Sequence, residues 1–175
     1  MVWSFLLRQS NSIIDLPLNF RTKKRPDASF RLDQDKLPST PPGWIVNLPN
    51  GLPTPNVVLE IAVNNEGHRQ FLEDADRYFS PTTSTRVWIG CKVWLAGRKF
   101  WVGWGERHPS GIGARIHSVM SWPPNHHSWD VPVNHIYQIP MDTIYGPGIA
   151  QPPDTPAALN IDVDMIRQRI LKCNL

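Results

Sequence analysis

Cysteine is almost missing: the 175 residues hold only Cys91, inside an apolar run, and Cys173, near the C-terminus. Two thiols are too few for a disulfide framework, and their spacing lacks the paired ligands of a zinc site. Both are expected to be free, with no disulfide-linked partner, and the expected location is intracellular, in cytoplasm or nucleus. Long apolar runs are missing too. Met1 to Leu7 is too short to span a bilayer and carries neither a charged leader nor a small-residue cleavage site, so no membrane partner is expected. There is no phosphate-cradling glycine loop, no serine elbow and no cysteine nucleophile with a positioned histidine, which removes the chemistries built on those motifs.

What the chain does hold is proline and tryptophan. Eighteen prolines and eight tryptophans accompany a hydrophobic share of 41%, a composition that suits a globular domain of short elements joined by extended loops and disfavours a helical bundle. The length fits a single domain over 1–175. Net charge is +3 with a pI near 9.1, which permits an anionic polymer as partner without demonstrating one. The distribution is more informative: Arg21, Lys23, Lys24 and Arg25 lead directly into Asp27, which suits a phosphodiester substrate, although such a run also describes a solvated strand or loop.

Taken in order, the apolar runs Val2 to Leu7 and Ile13 to Leu18 are strand-length, and Pro17 opposes a helix through the second, so a hairpin-like start is expected. Arg21 to Leu32 follows as a strand, with Asp27, Ser29 and Arg31 on one face and Ala28, Phe30 and Leu32 on the other. Turn formers fill Asp33 to Pro55, a long loop. Val57 to Val63 is a nearly unbroken aliphatic run, the pattern of a strand buried on both faces, and Glu60 inside it needs a compensating charge. A cation or a basic side chain such as Arg86, Lys92 or Lys24 would serve.

Asn64 and Asn65 are candidate caps for a helix over Glu66 to Phe79, whose Phe71, Leu72, Ala75, Tyr78 and Phe79 form one apolar stripe. With a strand over Arg86 to Leu95, this makes a β-α-β unit with parallel strands. A turn at Ala96 to Lys99 leads into a Trp-rich strand over Lys99 to Gly105, and Arg115 to Trp122 and His135 to Pro140 are further short strands. Past the breakers at Gly146 to Gly148 and Pro152-Pro153, Asp162 to Leu171 has helical spacing. The expected fold class is therefore α/β (α+β): a core over about 13–105 with a small mixed sheet, a β-rich extension over about 106–160 and a C-terminal helix over about 161–172.

Two stretches place carboxylates on expected neighbouring strands: Arg25-Pro26-Asp27-Ala28-Ser29-Phe30 and Pro55-Asn56-Val57-Val58-Leu59-Glu60-Ile61-Ala62. Two such acids are a standard way to hold a hard divalent cation. Followed by Leu72-Glu73-Asp74-Ala75-Asp76-Arg77-Tyr78-Phe79 and the strand Val87 to Trp94, their order and spacing resemble the Uma-type restriction endonuclease-like domain of the PD-(D/E)XK nuclease superfamily, most closely its divergent fungal members. The resemblance covers roughly Arg21 to Trp94. It implies a restriction-endonuclease-like core and hydrolysis of DNA phosphodiesters with Mg²⁺ or Mn²⁺. The ion would be held by Asp27, Glu60 and the Ile61 carbonyl, with Lys23, Lys24 and Arg25 on the nucleic acid.

The chain departs from that family in its lysine. The superfamily places one two residues after the Glu, where this chain has Ala62, and Uma-type members move it into the following helix, where this chain has Asp74. Lys92 is the candidate replacement, because Trp88, Gly90, Lys92 and Trp94 share one face of their strand opposite Val87, Ile89, Cys91 and Val93. The leading helix of the family also has no counterpart in Met1 to Leu18. These departures keep a second reading open: an inactive nuclease-fold module for binding or protein interaction.

Other residues read as structural. Asp27 after a proline is by itself a turn residue bonding its own backbone. His126 and His127 are adjacent, with His117 and His135 near, but no acid or cysteine completes a zinc spacing. The tryptophans Trp88, Trp94, Trp101 and Trp104 are expected to fill a core, with base stacking as the lesser alternative.

Overall fold

The computed structural model describes residues 7–9, 16–19, 22–24, 27–32, 54–63, 67–96, 99–108, 113–122, 136–146 and 149–172. Its centre is a six-stranded mixed sheet in the order β1-β4-β5-β6-β7-β8. The strands are β1 (Leu7–Gln9), β4 (Ala28–Leu32), β5 (Val57–Val63), β6 (Val87–Trp94), β7 (Lys99–Arg107) and β8 (Ala114–Trp122). β5 and β6 run parallel, joined through helix α1 (His68–Tyr78), and every other neighbouring pair in this sheet is antiparallel. The β-α-β unit and the mixed sheet expected from the aliphatic periodicity are thus present.

Alternation sorts the side chains into two layers. Val58, Ala62, Trp88 and Trp101 pack under Phe71, Ala75, Tyr78 and Phe79 of α1 and the turn after it. Val57, Val87, Cys91, Val93, Phe100, Val102 and Trp104 face the opposite way. That second layer is covered by a C-terminal module: β9 (Ile136–Pro140), the short helix α2 (Met141–Tyr145), β10 (Ala158–Asp162) and α3 (Val163–Lys172). β9 and β10 form an antiparallel two-stranded sheet, and Tyr137, Ile139, Ile144, Tyr145, Leu159 and Val163 bury their side chains on the main sheet. Full burial of one such aliphatic side chain contributes about 1.5–3 kcal/mol.

The two indoles of the α1 layer need unusual room. A Cβ at Gly90 would lie 2.0 Å from the Trp88 ring, and one at Gly103 would lie 2.6 Å from the Trp101 ring. Each tryptophan folds back over a glycine two residues along its own strand, and Gly90 and Gly103 are register partners. The glycines are there because the indoles occupy the space that a methyl group would take.

One arginine closes the turn between α1 and β6. Arg107 at the end of β7 donates from Nη1 to the Phe79 carbonyl at 2.7 Å and from Nη2 to the Thr83 and Thr85 carbonyls at 3.0 Å each. Burial, and after it the neighbouring Arg86, holds this guanidinium below its ordinary value. A planar fork with five donors matches a loop that presents several carbonyls at once. Nearby, Gly146 has φ 89°, and a Cβ there would stand 2.5 Å from the Arg86 guanidinium carbon, so this position requires glycine on both counts.

Several expectations are corrected. β1 pairs with β4, and β2 (Leu16–Asn19) pairs with β3 (Thr22–Lys24), so the two N-terminal strands are not arms of one hairpin. The single strand expected over Arg21 to Leu32 is two, β3 and β4, in different sheets. Pro26 between them has no N–H to donate to a ladder, which breaks a continuous strand. The N-cap of α1 is Gly67 without a side-chain cap bond, not Asn64 or Asn65, which lie outside the described residues. β5 is not buried throughout: Ile61 is 49% exposed. α2 and β10 were not foreseen, because five residues are too few for either periodicity to register. Most of the long loop expected over Asp33 to Pro55 lies outside the described residues, as do Cys173 and His126, His127 and His135.

Candidate functional site

Asp27 stands immediately before β4, and the last paired couple of the β4–β5 ladder is Ala28 with Leu59. One step further along that register, Asp27 falls opposite Glu60. The Asp27 carboxylate accepts the Ile61 backbone N–H at Oδ2, 2.6 Å away. It thereby supplies an acceptor at the point where the ladder stops, with Asp27 itself exposed. Within a strand, a residue's N–H and C=O point to the same edge, so the Ile61 carbonyl faces the edge on which Asp27 lies.

Glu60 shares its face of β5 with Val58 and Ala62, under α1, and is 8% exposed. Its Oε1 accepts the hydroxyl of Tyr78, which the last turn of α1 brings over the sheet. A phenol donating to a carboxylate is a charge-assisted bond of the kind that makes a buried acid tolerable. Periodicity places Tyr78 only in the apolar stripe of α1, and the structure adds its bond to Glu60. The Tyr78 hydroxyl, the one polar side-chain atom of that stripe, is the signal the sequence carries.

Lys92 lies on the same face, on the neighbouring strand. Glu60 pairs with Gly90 and Ala62 with Lys92, so Lys92 sits one strand over and two residues along, about 7 Å further up the sheet. It is fully buried. Its Nζ rests 5.6 Å from the centre of the Trp94 ring and has no hydrogen-bond partner among the described residues. The alternation expected for β6 therefore holds, while the ammonium is turned to Trp94 and makes no hydrogen bond to Glu60. His68, the first residue of α1, is next to it, with its ring 5.8 Å from Trp94 and 5.0 Å from Trp101. Burial, and then the Lys92 charge, pushes the His68 imidazole below its ordinary range.

The remaining expected residues are distributed as follows. Lys23 and Lys24 are on β3, opposite Pro17 and Leu16 of β2, and Arg25 lies outside the described residues. Asp74, at the family's alternative lysine position, accepts from Arg77 Nη1 at 2.8 Å and from Gln70 Nε2 at 3.3 Å along α1. His117 pairs its Nε2 with Glu106 Oε1 at 2.6 Å and stacks on Trp104. Among the described residues no three His, Cys, Asp or Glu side chains gather to hold a metal. Trp88 and Trp101 are buried in the α1 layer, as the core reading expects.

Burial pushes the Cys91 thiol up to about 12, and the residue is a free, buried cysteine with the character of a small apolar side chain. None of the described helices is long and apolar enough to cross a membrane. Comparison with protein-family models, with curated proteins and with solved structures gives no match for this chain.

Proposed function

We propose that the chain is a metal-dependent phosphodiester hydrolase of the restriction-endonuclease-like kind, acting on DNA, with Asp27, Glu60 and the Ile61 carbonyl as the ligands of Mg²⁺ or Mn²⁺. The observation that carries the reading is the bond from the Ile61 N–H to Asp27. It brings the exposed Asp27 carboxylate to the strand that holds Glu60, and to the edge towards which the Ile61 carbonyl points. Two carboxylates and a carbonyl are hard oxygen donors suited to such an ion and leave positions for water and phosphate. A bound divalent ion would supply activated water and neutralise charge on the phosphate. Asp27 orients towards that edge, Glu60 is held by Tyr78, and Lys92 contributes positive charge to the same face. Lys23, Lys24 and Arg25 would meet the phosphate backbone.

A second reading, an inactive binding or interaction module, draws on a specific observation. Both carboxylates take donors from the protein itself, the Ile61 amide and the Tyr78 hydroxyl, so the pair also has a structural use. Incubating plasmid DNA with the protein and Mg²⁺ or Mn²⁺, beside Asp27→Ala and Glu60→Ala variants, separates the two. Cleavage by the unaltered protein that both variants lose supports the hydrolase. Equal cleavage by all three, or none, supports the inactive module.

A further inference from the structure

The orphaned nitrogens of the α1 layer are concentrated in one place. Lys92 Nζ, His68 Nδ1, Trp101 Nε1 and Trp88 Nε1 are all buried without a hydrogen-bond partner. The rings connect: His68 lies 5.0 Å from Trp101 and 5.8 Å from Trp94, Trp101 lies 6.0 Å from Trp88, and the Lys92 ammonium lies 5.6 Å from Trp94. A buried ammonium without a partner is among the costliest groups a fold can hold, and buried polar atoms are normally satisfied by protein, water or an ion. Trp94 gives Lys92 only a cation–π contact, which replaces none of its three donor bonds.

The same place is the N-terminus of an 11-residue helix. Gly67 caps α1 without a side chain, and the first turn carries no acidic residue, so nothing acidic in that turn answers the partial positive charge of its N–H groups. Ammonium, indole N–H and first-turn amides are donors only, and they call for an acceptor with several lone pairs in different directions. His68 and Trp94 are only partly buried, so the cluster lies just beneath the surface.

We infer that Lys92, His68 and the first turn of α1 form a site for a small oxyanion of the phosphate class, which shares Lys92 with the proposed hydrolase but neither the Asp27 nor the Glu60 carboxylate. The site needs no divalent cation and does not depend on the proposed hydrolase. Its ligand is a free phosphate ion or the terminal phosphate of a nucleic acid strand, which share the recognised chemistry.

The test is a calorimetric titration with inorganic phosphate at constant ionic strength in the presence of EDTA. The unaltered protein should show saturable binding, and Lys92→Met, which keeps length and packing but removes the charge, should bind about tenfold or more weakly. Asp27→Asn should bind phosphate like the unaltered protein, so failure of the hydrolase would leave this inference standing. A second readout needs no variant: phosphate should raise the His68 imidazole titration followed by NMR. Comparing a 5′-phosphorylated oligonucleotide with its unphosphorylated form assigns the source. A gain from the terminal phosphate points to the strand end, and saturable phosphate binding without that gain points to the free ion. Absence of saturable binding, equal affinity in Lys92→Met, or an unmoved His68 titration would each overturn the inference.

Discussion

The Asp27 carboxylate accepts the Ile61 amide at 2.6 Å. This bond lies just beyond the end of the β4–β5 ladder, where the register sets Asp27 opposite Glu60, so its structural part can be tested apart from the proposed cation site. Asp27→Ala removes the acceptor and should cost about 0.5–1.5 kcal/mol in urea unfolding. Asp27→Asn keeps a side-chain oxygen for Ile61 and should unfold within about 0.5 kcal/mol of the unaltered protein. If the two variants unfold alike, the bond is not a strand-end anchor.

The buried Glu60 accepts the Tyr78 hydroxyl. Tyr78→Phe leaves the ring in the α1 layer and removes only the hydroxyl, so the loss should be about 1.5–3 kcal/mol, the range for a bond to a charged group. Chemical denaturation measures it. A change inside about 0.5 kcal/mol would show that Glu60 is satisfied by other means.

Much of this was legible in the sequence. The aliphatic run Val57 to Val63, the stripe in α1 and the alternation Trp88, Gly90, Lys92, Trp94 all survive in the structure, because burial on one face or two writes itself into periodicity. The pairing of β1 with β4, and of β2 with β3, was not legible, since short strands without a tight turn between them do not encode their partners. For the site, the residue types of Asp27, Glu60 and Lys92 could be read, but rotamers could not. That Lys92 lies against Trp94, and that Tyr78 reaches Glu60, are set by packing between α1 and the sheet.

Gly90 and Gly103 test that packing. Gly90→Ala would place a methyl 2.0 Å from the Trp88 ring, and Gly103→Ala one 2.6 Å from the Trp101 ring. Each should destabilise by about 1–3 kcal/mol, the usual cost of overpacking. Since Gly90 and Gly103 are register partners, the double variant should depart from additivity. Thermal unfolding of the set would contradict the packing account if either single variant were neutral.

His68 gives a pH dependence with a defined sign. Its folded-state titration lies below the ordinary value of 6.5, first because of burial and then because of Lys92. Between the folded value and 6.5 the unfolded chain binds more protons, so stability rises with pH across that window. Its contribution is fully present above 6.5 and is lost as pH falls towards the folded value. Unfolding free energies should decline over that interval, and His68→Gln should flatten the decline. An unchanged slope in His68→Gln would show that other groups set it.

Divalent-ion binding bears most directly on the central claim, that Asp27 and Glu60 share one cation. Calorimetry with Mn²⁺ should give a single saturable site in the unaltered protein, and that site should be lost in Asp27→Asn, whose fold is expected to remain intact. Equal Mn²⁺ binding by the two proteins, or no binding by the unaltered one, would contradict the account.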